Sequence, residues 1–542
     1  MSDPVVKIAR ACCALFMGAM VVVVVYVIAA RFSFPGQLEW MTSAVLDHVE
    51  RVAQHKPIYA APSSEWIPFI YTPGYYWLVA ALSPTVACAR AVSIASSLLT
   101  AACAHLLARQ AGASRFFAAL APALFIGCFG YVCAWFDTER SDPLMVAILS
   151  VSAVVLARSK GVTGAAVAGA LAGAAFFVKQ PATTFIVIVP LVLALGGRTK
   201  RALAFTAGAA VVLVPLFAWL QISTQGWFAY YCVKLPGAHG MAAKYITLFF
   251  IVDLSKAPLL TLATLGAFGS LVSVARARLR RVTLEIDEPW LVLVAFVAAG
   301  FVASATSRMH VGGWPNVLVF WTAFAVPAAC VLASKLEANA SRAGILVVLG
   351  AFALQVGAFA PDPNEAVPDD DARRFSAQVV ERVHEMEGDH GDVLMLGRGH
   401  VTRTRHPHLN ALVDVLRAGE PLPPDLGQAI LNRKFEAIVL NDMHDLRMEL
   451  LLGRESDLFI IVTRNYFVAE RFDDKTPMPV VGFPTTPRWV LRPRTRPLMM
   501  EHDELLARQL VEMGLADANM RAAQGDAKKH SDGLDIEIRS AR

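Results

Sequence analysis

Apolar residues run in long, nearly uncharged stretches through the first two thirds of the chain and only in short bursts afterwards. A helix needs about 20 apolar residues to cross the hydrocarbon core of a bilayer. Breaks at charge, Gly and Pro place spans near 11–31, 86–107, 116–136, 143–157, 162–178, 182–196, 202–222, 257–275, 289–306, 317–334 and 343–360, about eleven in all. The segment 32–85 is the longest interruption. In it Met41, Val45, Val49 and Val52 recur at helical spacing, which predicts an amphipathic helix in the interface with Trp40 anchoring its start. The aromatic stretch Phe69-Ile-Tyr-Thr-Pro73-Gly-Tyr75-Tyr76-Trp77 is too short to span and is expected to re-enter the outer leaflet.

Beyond an acidic linker, 361–371, the pattern changes to that of a small soluble layer. It reads as a helix over 373–387, a short buried strand at 392–396, a helix near 408–418, a second strand at 435–440, and the apolar run Leu458-Phe-Ile-Ile-Val462. The fold class is therefore an α-helical polytopic membrane protein, residues 1–360, with a C-terminal α/β domain over 372–495. The last residues, 496–542, read as a polar, partly disordered tail.

Composition agrees and adds sidedness. With 56% hydrophobic and 17% charged residues over 542 positions, the chain is too apolar for an ordinary soluble enzyme. Residues 1–360 hold 25 Lys and Arg against 13 Asp and Glu, whereas 361–542 hold 24 against 31. Alternate loops sort 15 of those 25 cations to one side, and the turns Arg198 to Arg201 and Arg276 to Arg281 are almost purely cationic. By the positive-inside rule these turns are cytoplasmic, as is the N-terminus, and the first helix is a retained span in a plasma (inner) membrane. An odd number of spans then puts the C-terminal domain outside, periplasmic or extracellular. All eight cysteines lie before residue 361 without paired spacing, so no disulfide framework or zinc module is implied. Nothing points to nucleic acid as a partner.

Eight carboxylates fall on the external face, among them Glu39, Asp137, Glu139 and Asp142. Glu39 lies near the depth of a lipid phosphate headgroup, where a carboxylate can take a proton from an attacking hydroxyl; capping the interfacial helix is the competing role. In Trp135-Phe-Asp137-Thr-Glu139-Arg140-Ser-Asp142-Pro143, two explanations compete. The acids are hard oxygen ligands for a divalent cation, or Asp142 caps the next helix ahead of Pro143 while Arg140 neutralises Asp137. The cap is favoured for Asp142 and function for Asp137. Lys179-Gln180-Pro181, Lys234, and Arg308-Met-His310-Val-Gly312-Gly313 add cations to the same face, with snorkelling as the plain alternative for the two lysines. Arg308 offers a phosphate forked donors beside glycines that let a backbone come close. Arg398, His400, Arg403, Arg405, His406 and His408 form a basic stretch in the soluble part that reads as a solvated loop.

These motifs resemble the GT-C superfamily of polytopic glycosyltransferases, near the protein mannosyltransferase and aminoarabinose transferase branch, over most of residues 11–360. The resemblance is carried by Phe69-Ile-Tyr-Thr-Pro73-Gly-Tyr75-Tyr76, Asp137-x-x-Arg140-x-Asp142, Phe177-Val-Lys179-Gln180 and Arg308-x-His310-x-Gly312-Gly313-x-x-Asn316. It implies a hexosyl- or pentosyltransferase that takes its sugar from a polyprenyl-phosphate donor on the non-cytoplasmic face, with inversion. Glu39 is then the base and Asp137 a second acid. Arg140, Asp142, Lys179, Arg308, His310, Tyr71 and Tyr75 become substrate contacts. Where many relatives carry Asp at the first site, this chain has Glu39-Trp40. The resemblance leaves the acceptor open among lipid, glycan and protein, and assigns no cofactor beyond an optional divalent cation. A transporter or flippase of lipid-linked saccharides and a membrane-anchored scaffold are the rival readings.

Overall fold

The computed structural model describes residues 3–282, 286–397, 401–441, 457–472, 479–482 and 485–499. The polar tail lies outside the described residues except for 496–499, as do Arg398 and His400. Each predicted span contains a helix. Seven are long and apolar enough to cross a bilayer: α1 (Pro4–Phe32), α4 (Val86–Gln110), α6 (Ser141–Arg158), α9 (Thr199–Ser223), α10 (Pro258–Leu279), α11 (Glu288–Arg308) and α12 (Val319–Asn339, opened by a turn at Pro315–Leu318). Four shorter apolar helices complete the bundle: α5 (Arg115–Ile126), α7 (Val162–Phe176), α8 (Ala182–Leu195) and α13 (Arg342–Gly357). The chain is a multi-pass membrane protein. Helices α11 and α12 form its centre, while α1 and α9 present most of their apolar surface outward.

Small residues set the closest packing. A Cβ on Gly169 of α7 would collide with the carbonyl oxygen of Phe205 on α9, and one on Gly208 with that of Ala166. Glycine here lets two backbones touch, the usual device where lipid gives helices no hydrophobic reason to associate.

The third span departs from expectation. Its helix stops at Ile126, and residues 127–139 fold as turns in place of the last helical turns expected to 136. Gly130 packs against the Phe359 carbonyl, where a Cβ would sit 2.6 Å from the oxygen, and Cys133 and Ala134 both adopt φ of +57°. Length and hydropathy favoured a continuous helix, but Gly127 and Gly130 let Val356 and the Phe359 backbone pack closely against the chain where it leaves the helix. The result delivers Asp137 to Arg140 into the protein interior.

The interfacial helix also differs. Helix α2 (Thr42–Ala53) forms where the periodicity placed it, yet every residue from Thr42 to Val49 is buried. Its second face is covered by the C-terminal domain, which a one-dimensional pattern does not show. The aromatic stretch continues into α3 (Gly74–Leu82).

The C-terminal domain has α14 (Asp370–Glu387), β1 (Val393–Leu394), α15 (Leu409–Arg417), α16 (Pro424–Leu431), β2 (Ala437–Leu440), α17 (Asp457–Asn465), β3 (Tyr466–Arg471) and β4 (Trp489–Pro493). The strands form a mixed sheet in the order β1-β2-β4-β3, with β1 and β2 parallel and the other pairs antiparallel. The run Leu458 to Val462 is helical: Leu458, Phe459 and Val462 share its buried side, and a short apolar run carries no period that separates strand from helix.

Candidate active site

Five elements of the membrane part converge beneath the C-terminal domain: the loop 33–41, the segment 69–73, the turns 127–140, the break between α7 and α8, and the loop 309–318. Arg90 organises the first. It is fully buried near the start of α4, and its guanidinium meets Glu139 at 2.5 Å while donating to the carbonyls of Arg31, Phe32, Phe34 and Gly36. Thr42 donates to the other Glu139 oxygen at 2.8 Å. One buried ion pair thereby fixes the chain on both sides of Glu39.

Glu39 is itself fully buried. Its Oε2 accepts from the Met41 N–H at 3.0 Å and lies 3.8 Å from an Arg140 guanidinium nitrogen, while Oε1 has no hydrogen-bond partner among the described residues. Burial pushes its carboxyl up to about 7, against the pull of Arg140 and the Met41 N–H, with Glu139 and Asp142 adding to the rise. Such a value suits a general base at neutral pH. Residues 481–482 of the C-terminal domain cover it: the Val481 N–H donates to the Leu38 carbonyl at 3.0 Å, and a Cβ on Gly482 would lie 3.3 Å from Oε1.

Beside Glu39 stands a cationic pair. Arg140 donates to the Tyr71 hydroxyl at 3.1 Å, and its guanidinium carbon sits 5.2 Å from the Tyr71 ring centroid and 4.8 Å from that of Trp135. The Lys179 ammonium lies 5.0 Å from the same Tyr71 ring and donates to Asp142 at 2.7 Å. Asp142 also accepts from Asn316 at 3.0 Å, and its second oxygen has no partner among the described residues. It sits in the first turn of α6 behind Pro143, but its side chain makes no cap, so the capping role expected of it is not the one it has. Glu39, Tyr71, Arg140, Asp142 and Lys179 thus form one connected cluster.

The other residues singled out in the sequence lie elsewhere. Asp137 pairs with Arg31 of α1 at 3.1 Å, not with Arg140, and burial pushes its carboxyl up to about 6 against the pull of Arg31. Tyr75 is fully buried and donates to the Ala89 carbonyl of α4 at 2.9 Å. Arg308 pairs with Asp253 at 2.8 Å and donates to the Gly313 carbonyl. His310 stands 5.4 Å from His239, ring to ring, and His239 meets Asp414 of the C-terminal domain at 2.9 Å. The basic stretch of that domain is only in part a solvated loop: Arg403 is exposed, but the residues after it are engaged. Arg405 pairs with Asp47 and Glu50, His406 with Asp392, and His408 packs on Trp40 with ring centroids 5.6 Å apart. Trp40 is consequently held by this domain and not by a lipid interface.

Arg31 and Arg90 escaped the sequence reading, although a lone Arg inside an apolar span is a recognisable signal. His48 escaped it too. It donates to the Ala44 carbonyl at 2.6 Å and accepts from the Phe69 N–H at 2.8 Å, and burial pushes it down to about 3. Among the described residues no three His, Cys, Asp or Glu converge to hold a metal ion.

Two crystal structures of ArnT from Cupriavidus metallidurans share this architecture, one bound to undecaprenyl phosphate and one in the apo state. They match with TM-scores of 0.54 and 0.51 at 14% identity, each over 88% of this chain and 97% of the other. This chain therefore shares the fold of those two structures. No protein-family model and no curated protein matches the sequence.

Proposed function

We propose that this chain is an integral membrane glycosyltransferase that moves a sugar from a polyprenyl-phosphate donor to an acceptor hydroxyl on the non-cytoplasmic face of the membrane, with inversion. The observation that carries the reading is the buried Glu39, held near neutrality beside Arg140, Lys179 and Tyr71. A structural neighbour crystallised with undecaprenyl phosphate supports the donor class.

In this reading the acceptor oxygen gives its proton to the free Oε1 of Glu39 as it bonds to the anomeric carbon. The bond from that carbon to the phosphate oxygen breaks, and polyprenyl phosphate leaves with the electron pair. Arg140 and Lys179 hold the charge that grows on it, in a site where burial makes each cation count for more than in water. Asp142 and Asn316 aim the ammonium, and Tyr71 aligns both cations. Asp137 and Glu139 position the site by fixing Arg31 and Arg90. Arg308 lies away from this cluster, paired with Asp253, and His310 stands beside His239 at the seam with the C-terminal domain. Because residues 481–482 cover Glu39, an acceptor enters by displacing them.

The test is transfer of radiolabelled sugar from a panel of polyprenyl-phosphate sugars in membranes bearing the wild-type chain or Glu39→Gln at matched expression. Wild-type label should reach product, and the substitution should abolish transfer while donor binding persists. Equal transfer by both would remove Glu39 from the chemistry; transfer by neither would favour a transporter or scaffold.

A further inference from the structure

A cavity of about 260 Å³ lies beside the active-site loop, between residues 35–46 and helix α14 of the C-terminal domain. Its polar lining is Gln37, Thr42, Ser43, Ser376 and His384, with no Lys, Arg, Asp or Glu. Gln37 is only 7% exposed, yet neither its Nε2 nor its Oε1 has a hydrogen-bond partner among the described residues, and the buried Ser43 hydroxyl is likewise unpaired. Buried amides and hydroxyls are normally satisfied, so groups left open along a cavity call for a ligand or water to complete them. The walls come from two parts of the chain that touch here: a Cβ on Gly36 would lie 2.7 Å from the Ser376 hydroxyl.

We propose that this cavity binds a neutral sugar ring of the acceptor, an inference that rests on the glycosyltransferase reading. A Gln amide offers a donor and an acceptor side by side, the Ser43 hydroxyl can act as either, and Thr42, whose proton goes to Glu139, can still accept, which matches vicinal hydroxyls on a pyranose. Leu46, Val86 and Val380 supply apolar wall for the ring's C–H faces. With neither Lys nor Arg in its lining, it lacks the fixed cations a phosphate site normally carries. Its volume falls just below the roughly 300 Å³ at which pockets for small organic ligands begin, enough for one ring. Gln37 precedes Glu39 by two residues, so a ring held here is fixed by the loop that carries the base.

The experiment uses the full chain in detergent micelles and saturation-transfer NMR with methyl glucoside, methyl galactoside and methyl mannoside. Gln37→Leu removes the amide at nearly constant volume, and Val380→Trp fills the cavity from its half-buried rim. At least one glycoside should bind, weakened about tenfold by Gln37→Leu and lost in Val380→Trp, with undecaprenyl phosphate binding and the thermal unfolding midpoint unchanged in Gln37→Leu. Absence of binding by all three glycosides, or equal binding to wild type and Gln37→Leu, would overturn the proposal and leave a water-filled cavity. Binding is read without turnover, so a chain that holds a glycoside yet transfers no sugar keeps this site and refutes the transferase reading instead.

Discussion

Transfer should depend on pH through Glu39, with an acid limb near neutrality in place of the ordinary carboxylate range. Burial raises the carboxyl to about 7, and the opposing pull comes from Arg140 at 3.8 Å and the Met41 N–H at 3.0 Å. Only the ionised form accepts a proton, so kcat/KM should fall about tenfold per unit below the limb, to about 1% of its plateau near pH 5. The same shift acts on stability with a definite sign. The protonated form is the one burial favours, so this contribution is fully present below the unfolded value of about 4.5 and is lost as pH rises through about 7. The assay is kcat/KM for label transfer across that range at constant ionic strength, in wild type and in Arg140→Gln. Removing the guanidinium takes away the strongest downward pull, so the acid limb should move up while the plateau falls. A flat profile, a limb near 4.5, or a limb that stays in place in Arg140→Gln would each refute the assignment of Glu39 as the titrating base.

Lys179→Ala leaves the Asp142 carboxylate buried with Asn316 as its one donor among the described residues, and should raise KM for the lipid-linked donor at least tenfold, with Lys179→Arg recovering part of it; an unchanged KM would detach Lys179 from the phosphate. Arg90→Leu strands Glu139 and four carbonyls and should cost about 3–5 kcal/mol, read as a lower unfolding temperature in detergent, and Glu139→Gln added to it should restore part of the loss. At Gly482 the φ of +81° and a Cβ position 3.0 Å from Trp40 Cδ1 and 3.3 Å from Glu39 Oε1 disfavour any side chain, so Gly482→Val should slow transfer at least tenfold; retained kcat/KM would show that this contact does not bear on the base. Because the phosphate is held by side-chain cations in this reading, transfer should survive EDTA, and its loss with recovery on adding Mg²⁺ would assign that role to a metal.

Much of the architecture was written in one dimension. A stretch of about 20 apolar residues has one stable use in a bilayer, so the spans were legible from hydropathy alone. The same holds for α2, whose four apolar positions repeat at helical spacing. Motif chemistry placed Glu39, Tyr71, Arg140, Asp142 and Lys179 on the list of candidates, and the fold brings those five together. What the sequence left open is who pairs with whom. Asp137 stands three residues from Arg140 but is neutralised by Arg31, 106 positions earlier, and Glu139 by Arg90 across 49. The C-terminal domain's grip on Trp40, Asp47 and Glu39 likewise joins residues more than 350 positions apart. Periodicity and composition report each residue's preference for water or lipid, and so they determined which segments are apolar helices and which loops carry the polar groups. The distance between two charges in a dry interior depends on helix packing, so the tertiary structure alone decided which acid is neutralised and which is left to act as a base.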